Sequence, residues 1–358
     1  MKKNIVFLID NIYNTGGVAR VTLLLIKNLL KTNRYGISLI SFSKPGVKEC
    51  YEIPKRCKII DLSFKAFSLR KHSLKAAYEL RHIFDSDFDG TFVIDDVGLN
   101  IPAWLGLRHC RNARFISWTH TNFFNGSKYG FSGVGKRLAI RKFEYLVALT
   151  KEDQVYYQRI LNAKNVVQIY NPKNPEIIKH TYNLEAKKII SCGSLVPCKG
   201  FDILIEVAKK VFQQINDWQW DIYGDGPDKD VLQRKIEGYG LNNKVNLKGY
   251  RSDILNIYKD YSFDVFTSRG EGCPMAMIEA LSAGLPMVSF DFKCGPKDLI
   301  SNNKNGFIIE SWNIDDMAAC ILKLINNKEL RCQFAQNADI NLKELEISYV
   351  LDQWHKIL

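Results

Sequence analysis

Short apolar runs alternate along this chain with longer segments whose apolar residues recur at helical spacing. Residues 4–9, NIVFLI, are bounded by polar residues, the pattern of a strand buried on both faces of a parallel sheet. The loop DNIYNTGG leads into VARVTLLLIKNLLKT, whose spacing predicts a helix. Strands YGISLISFS and CKIIDLS follow, then a basic helical stretch over 68–84 and strands GTFVIDD and RFISWTH. Residues 133–149 predict a basic, partly amphipathic helix carrying Lys136, Arg137, Arg141 and Lys142, and YLVALTKED reads as the last strand of this half. Pro172 and Pro175 disfavour helix or inner strand and place a boundary near residue 171.

The same grammar then restarts. KKIISCGS, WQWDIYG and KVNLKGY read as strands, FDILIEVAKKVFQQI as an amphipathic helix, and NIDDMAACILKLI as a helix opened by an Asn/Asp cap. The pattern predicts an α/β chain with two doubly wound domains, 1–170 and 171–340, followed by a helical tail over 341–358.

One stretch concentrates the candidate chemistry. In FTSRGEGCPMAMIEAL, residues 266–281, an apolar run breaks into a glycine-containing turn that opens a helix over about 274–282. The first turn of a helix leaves its N–H groups free and carries partial positive charge, so Gly272, Cys273, Pro274 and Met275 are placed to face an anion. Glu271 on the loop and Glu279 on the helix suit the holding of hydroxyl groups on either side of a bound phosphate. Gly16 and Gly17 sit at a strand-to-helix junction, where glycine serves either a plain tight turn or close approach of a phosphate. In CGSLVPCKGFD, Gly193 permits close backbone approach, and the ammonium of Lys199 is either a solvated charge, the reading for a lysine standing alone, or a group able to neutralise a departing diphosphate. His120 ends a strand, where its side chain is either a surface or capping histidine, the commoner role for such a residue alone, or points into the crevice in which such sheets bind ligands.

The block S-x-x-E-G-x-P-x-x-x-x-E-A-x-x-x-G-x-P-x-V, with its two glutamates separated by seven residues, resembles the donor-site signature of family 4 of the retaining glycosyltransferases. The resemblance runs over nearly the whole chain. It implies the GT-B fold, two Rossmann-like domains facing across a cleft, with the final helix crossing back to the first. It further implies transfer of a sugar from a nucleotide, UDP foremost, with retention of configuration and without a cofactor or metal. By resemblance, Glu279 holds the ribose, Glu271 contacts the donor sugar, His120 lies beside the transferred sugar, and the glycine-rich loop at Gly16 and Gly17 faces donor and acceptor. The family pattern G-R-L-x-x-x-K-G-x-D has Ser194 here in place of Arg. Compensation by Lys293 or Lys297, or reduced activity, is the expected consequence. The variant GLPMVSFDFKCGP looks most like the branch that builds bacterial exopolysaccharide, capsule or lipopolysaccharide on lipid-linked or glycan acceptors. A GT-B sugar-nucleotide epimerase and a degenerate binding-only homologue are the competing readings, the latter motivated by Ser194.

Charge adds a partner. The 358 residues carry 50 Lys and Arg against 38 Asp and Glu, a net +12. Residues 1–170 hold 27 basic against 13 acidic residues (+14), and the remainder hold 23 against 25 (−2), so the surplus belongs to the first half. With the basic residues Arg70, Lys71 and Lys75, this predicts docking on an anionic membrane surface through the first domain. Nucleic acid is disfavoured, because no binding motif accompanies the charge. No apolar run approaches a membrane span, and the N-terminus reads as a strand, so a cytoplasmic protein at the inner face of the plasma membrane is expected. Nine cysteines without a C-x-x-C are expected to be reduced, with Cys192 and Cys198 flanking their loop in a packing role, a reactive thiol there being the alternative. Asp85, Asp87, Asp89, Asp95 and Asp96 lie in a turn and a strand end without accompanying ligands, and no metal is assigned to them. A G-x-G-x-x-G fingerprint with its downstream acid is missing, which makes a hydride-transferring dehydrogenase a poor fit.

Overall fold

The computed structural model describes residues 2–14, 16–44 and 51–358. Cys50 and Thr15 of the glycine loop lie outside them. The chain divides into one unit of Met1–Pro172 with Ile347–Leu358 and a second of Lys173–Glu346.

The first unit holds a seven-stranded sheet of β1 (Lys3–Ile9), β2 (Tyr35–Ser43), β3 (Lys58–Phe64), β4 (Thr91–Ile94), β5 (Arg114–Trp118), β6 (Tyr145–Ala148) and β7 (Val166–Gln168). All pairings are parallel, in the order β3-β2-β1-β4-β5-β6-β7. Strands β1 and β4 have continuous buried apolar runs because helices cover both faces of such a sheet. The chain winds outward from β1 in one direction and from β4 in the other. The loops after these two strands therefore diverge and leave a crevice at their C-terminal ends.

Three expectations need correction here. The basic segment 133–149 is two elements, a helix Phe131–Lys142 and the strand β6, separated by Phe143 in extended conformation. The charge at Lys136 does not face outward: the side chain is 5% exposed, and its ammonium donates to the carbonyls of Phe123 and Asn125. YLVALTKED is not the last strand of this half. Thr150 caps a helix, Lys151–Leu161, by accepting from the Asp153 amide, and β7 follows. The helix Ile347–Ile357 packs in this unit, with Trp354 fully buried edge-on against Trp118 at 5.0 Å between ring centroids.

The second unit has six parallel strands: β8 (Lys188–Cys192), β9 (Gln219–Tyr223), β10 (Val245–Gly249), β11 (Phe263–Phe266), β12 (Met287–Phe290) and β13 (Gly306–Ile309). Their order, β10-β9-β8-β11-β12-β13, reverses between β8 and β11, so the loops after those two strands meet at this unit's own switch point. Asn313 caps the helix Ile314–Asn326 through the Asp316 amide, as its sequence predicts.

Candidate functional site

At the switch point of the second sheet, the loop after β8 brings Lys199 and the loop after β11 brings Glu271. Lys199 Nζ lies 2.7 Å from Glu271 Oε1, with the two side chains 20% and 14% exposed. Ser268 Oγ donates to the same carboxylate oxygen at 2.8 Å. A Cβ on Gly193 would stand 3.3 Å from Lys199 Cδ, so the lysine stem runs directly over that glycine.

Gly200 makes the approach of these loops possible. Its φ is +67°, and an added Cβ would lie 2.1 Å from the Thr267 carbonyl oxygen. Thr267 Oγ1 donates to the Gly200 carbonyl at 2.9 Å, tying the end of β11 to the loop after β8.

The helix at the site is Met275–Ser282, one residue shorter than expected because Pro274 is its extended N-cap. Pro274 has no amide to leave unsatisfied; the Met277 amide already donates to the Pro274 carbonyl at 3.1 Å, which leaves the Met275 and Ala276 N–H groups without an intrahelical acceptor. Gly272, Cys273 and Pro274 are buried and Met275 is half-buried. Burial pushes the Cys273 thiol up, with Asp298 and then Glu271 adding to the shift, which places all three groups in one neighbourhood. Gly295 approaches so closely that its Cβ would be 2.9 Å from Pro274 Cδ, seating segment 291–298 against the helix start. In that segment Lys297 is paired with Asp291 at 2.8 Å.

Arg269 was not singled out by sequence, although it occupies a variable position of the signature. It donates through Nη1 and Nη2 to the two oxygens of Asp202, at 2.9 and 2.7 Å. Nη1 also reaches the Pro197 carbonyl, and the Arg269 amide donates to the Cys198 carbonyl at 2.7 Å. The guanidinium sits over the Trp312 ring at 5.6 Å. Its hydrogen bonds hold the Asp202 carboxyl below its ordinary range. A signal existed in the sequence: an Arg beside the loop glutamate, where the family Arg is Ser194, which is exposed.

Cys198 is exposed rather than packed, which corrects that expectation; Cys192 is buried as expected. Glu279 is 3% exposed. It is close enough to Asp264, Cys192 and Tyr258 to oppose the ionisation of each, which burial already disfavours.

In the first unit Gly16 is the extended N-cap of the helix Gly17–Lys31, and both glycines are exposed. The His120 ring packs on Trp118 with centroids 4.4 Å apart. Its Nε2 is buried without a hydrogen-bond partner among the described residues, and burial pushes the imidazole down to about 3. A neutral ring of this kind donates a hydrogen bond from one nitrogen or accepts one at the other, and carries no positive charge near neutral pH.

Residues 173–340 match the family described as Glycosyl transferases group 1. An uncharacterized glycosyltransferase of Haemophilus influenzae is 29% identical over 99% of this chain and 100% of its own length. A poly(ribitol-phosphate) alpha-N-acetylglucosaminyltransferase of Staphylococcus aureus is 32% identical over 77% of this chain, which spans 57% of that protein. The amylovoran biosynthesis glycosyltransferase AmsD of Erwinia amylovora is 27% identical over 99% of both chains. Among solved structures, an S. aureus TarM variant in complex with Fondaparinux, alpha-GlcNAc-glycerol and UDP superimposes with a TM-score of 0.86 at 21% identity, covering 99% of each chain. The fold is the two-domain α/β GT-B fold. The family match thus lies in the second unit, and over nearly its whole length the chain is similar to proteins named as glycosyltransferases.

Proposed function

We propose that this protein transfers a hexose or N-acetylhexosamine from a nucleotide sugar, with UDP as the preferred nucleotide, to a glycan or lipid-linked glycan acceptor in the synthesis of a bacterial surface polymer. The observation that carries the reading is the Lys199–Glu271 pair at a sheet switch point, beside a helix start seated on Gly295. Relatives named for poly(ribitol-phosphate) and amylovoran synthesis support the polymer, and the UDP complex of TarM supports the nucleotide.

In the reaction, the bond from the anomeric carbon to the diphosphate breaks with its electron pair leaving on the diphosphate. The acceptor oxygen bonds the same carbon from the same face, and its proton leaves on the departing phosphate oxygen, so configuration is retained. The developing negative charge is met by Lys199 and by the amides following Pro274, fixed in place before the reaction begins. Glu271 orients Lys199 and contacts the donor sugar, while Glu279 holds the ribose. His120 offers a neutral hydrogen bond beside the transferred sugar. This scheme routes no step through a metal.

Membrane docking through the first unit belongs to the same proposal. With Lys136 buried, its support moves to the helix Leu69–Arg81, where Leu74 and Tyr78 are 80% and 66% exposed among Arg70, Lys71 and Lys75. No helix among the described residues is long and apolar enough to cross a membrane. Co-sedimentation with anionic vesicles, lost on charge reversal at Arg70, Lys71 and Lys75, tests this part.

The central test incubates purified protein with radiolabelled UDP-hexoses and UDP-N-acetylhexosamines and a bacterial membrane-lipid extract. Label entering the lipid or glycan fraction supports transfer. An altered soluble sugar would instead indicate an epimerase, and binding without turnover a degenerate homologue.

A further inference from the structure

The second unit holds a bulky residue in a backbone conformation that favours glycine. After β13, the Asn313 amide donates to the Glu310 carbonyl at 3.1 Å and closes a four-residue turn whose third residue, Trp312, has a φ of +73°. A positive φ at that position selects glycine or asparagine, and for a large side chain it is strained. Strain of this kind persists only where the surrounding structure enforces it, and it gathers where a side chain has a task.

The turn is fixed on both sides of the tryptophan. Ser311 Oγ donates to the Asp291 carbonyl at 2.7 Å, and Asn313 Oδ1 accepts from the Asp316 amide at 3.1 Å as the cap of the helix Ile314–Asn326. Burial does not account for the strain, since Trp312 remains 48% exposed. Its ring meets the buried Phe290 ring, with centroids 5.9 Å apart, and lies under the Arg269 guanidinium. An aromatic face attracts a guanidinium and leaves the N–H groups in its plane free for acceptors at the rim.

What Arg269 grips gives this contact its consequence. The side chain donates to the Pro197 carbonyl and to both Asp202 oxygens, on either side of the 3-10 turn Pro197–Lys199. Because the guanidinium is partly exposed, water competes for these bonds, and a ring covering one of its faces limits that competition. Thr267 ties Gly200 separately, so Lys199 stands between two attachments and loses one of them when Arg269 lets go.

We infer that Trp312 is a positioning residue for transfer: its ring holds the Arg269 guanidinium on Pro197 and Asp202, and so fixes the turn that presents Lys199. The effect on rate rests on the transferase reading above, whereas the effect on the turn does not.

The test has two arms on the full-length protein. Trp312→Asn removes the ring and supplies a residue that tolerates positive φ, while Trp312→Phe keeps an aromatic face. Should the first fold poorly, Trp312→Gly, which relieves the strain, takes its place. The first arm uses no substrate: the exposed Cys198 thiol is alkylated with iodoacetamide and its rate followed by peptide mass spectrometry. Trp312→Asn and Arg269→Ala should each raise that rate about threefold or more by loosening the turn, and the double variant no further. Trp312→Phe should stay close to the parent. In the second arm, with whichever donor supports transfer, Trp312→Asn should lower kcat about fivefold at unchanged UDP affinity, and should cost nothing more in the Arg269→Ala background. An alkylation rate unmoved by Trp312→Asn, losses that multiply in the double variant, or a raised KM at unchanged kcat, the mark of a ring stacking on substrate, overturns the inference. If no donor supports transfer, the function reading fails, while the alkylation arm still decides whether the ring fixes the turn.

Discussion

Lys199 and Glu271, 72 residues apart in sequence, close a 2.7 Å ion pair because β8 and β11 are neighbours in the second sheet. The two groups proposed for the departing diphosphate and the donor sugar thus hold each other. The pairing fixes the long lysine side chain in one place, so less freedom is lost when its ammonium meets the phosphate.

Lys199→Ala should therefore reduce kcat for transfer by about 100-fold or more, the scale of removing one preorganised charge-stabilising donor. UDP affinity, measured by calorimetry, should change far less, because the nucleoside is held elsewhere. An unchanged transfer rate would remove Lys199 from the proposed role.

Arg269 staples the segment that carries Lys199, through its bonds to Pro197, Cys198 and Asp202. Its side chain and that of Asp202 are 37% and 47% exposed, so the pair contributes at most about 1 kcal/mol to stability. Arg269→Ala should accordingly leave Tm almost unchanged and still lower kcat roughly tenfold through a misplaced Lys199, the sensitivity expected of small displacements at a reacting centre. Arg269→Lys should restore little of it, since a single ammonium cannot reproduce the forked contact with both Asp202 oxygens. Full rescue by lysine would reduce Arg269 to a surface charge.

The parallel strands were legible because strands buried on both faces read as continuous apolar runs, as in NIVFLI and TFVI. The residues meeting at the second switch point were also legible individually, Lys199 and Gly193 in one motif and Glu271 and Pro274 in another. Their contact was not, since hydrophobic periodicity does not say which strand lies beside which. Lys136 was misread for a related reason: the carbonyls of Phe123 and Asn125 that draw its ammonium inward belong to a loop whose position periodicity does not report. The Arg269–Asp202 link likewise depends on two loops from different strands.

Gly200 offers a test of whether the two loops must touch. With φ at +67° and 2.1 Å between a new Cβ and the Thr267 carbonyl oxygen, Gly200→Ala is strained in both backbone and packing. It should destabilise the protein by roughly 1–3 kcal/mol, read as a fall in denaturant midpoint. The surviving folded fraction should also lose transfer activity, because Lys199 is the preceding residue. A variant as stable and active as the parent would mean that the loops tolerate separation.

Two buried groups make stability depend on pH with opposite signs. His120 titrates near 3 in the folded protein against an ordinary 6.5, so the unfolded chain takes up a proton that the folded chain refuses. Stability is lost as pH falls through 6.5, by about 1.4 kcal/mol per pH unit and about 2 kcal/mol by pH 5. Asp264 has its folded value raised by burial and then by Glu279, so its contribution is present below the ordinary 3.8 and lost as pH rises through the folded value. His120→Asn should therefore lose less stability than the parent between pH 7 and pH 5, and Asp264→Asn should gain on the parent as pH increases. Chemical denaturation of the three proteins at pH 5, 6.5 and 8 separates the effects. A His120→Asn curve parallel to that of the parent would show that the imidazole charges freely in the folded protein, and would remove the argument for a neutral ring beside the transferred sugar.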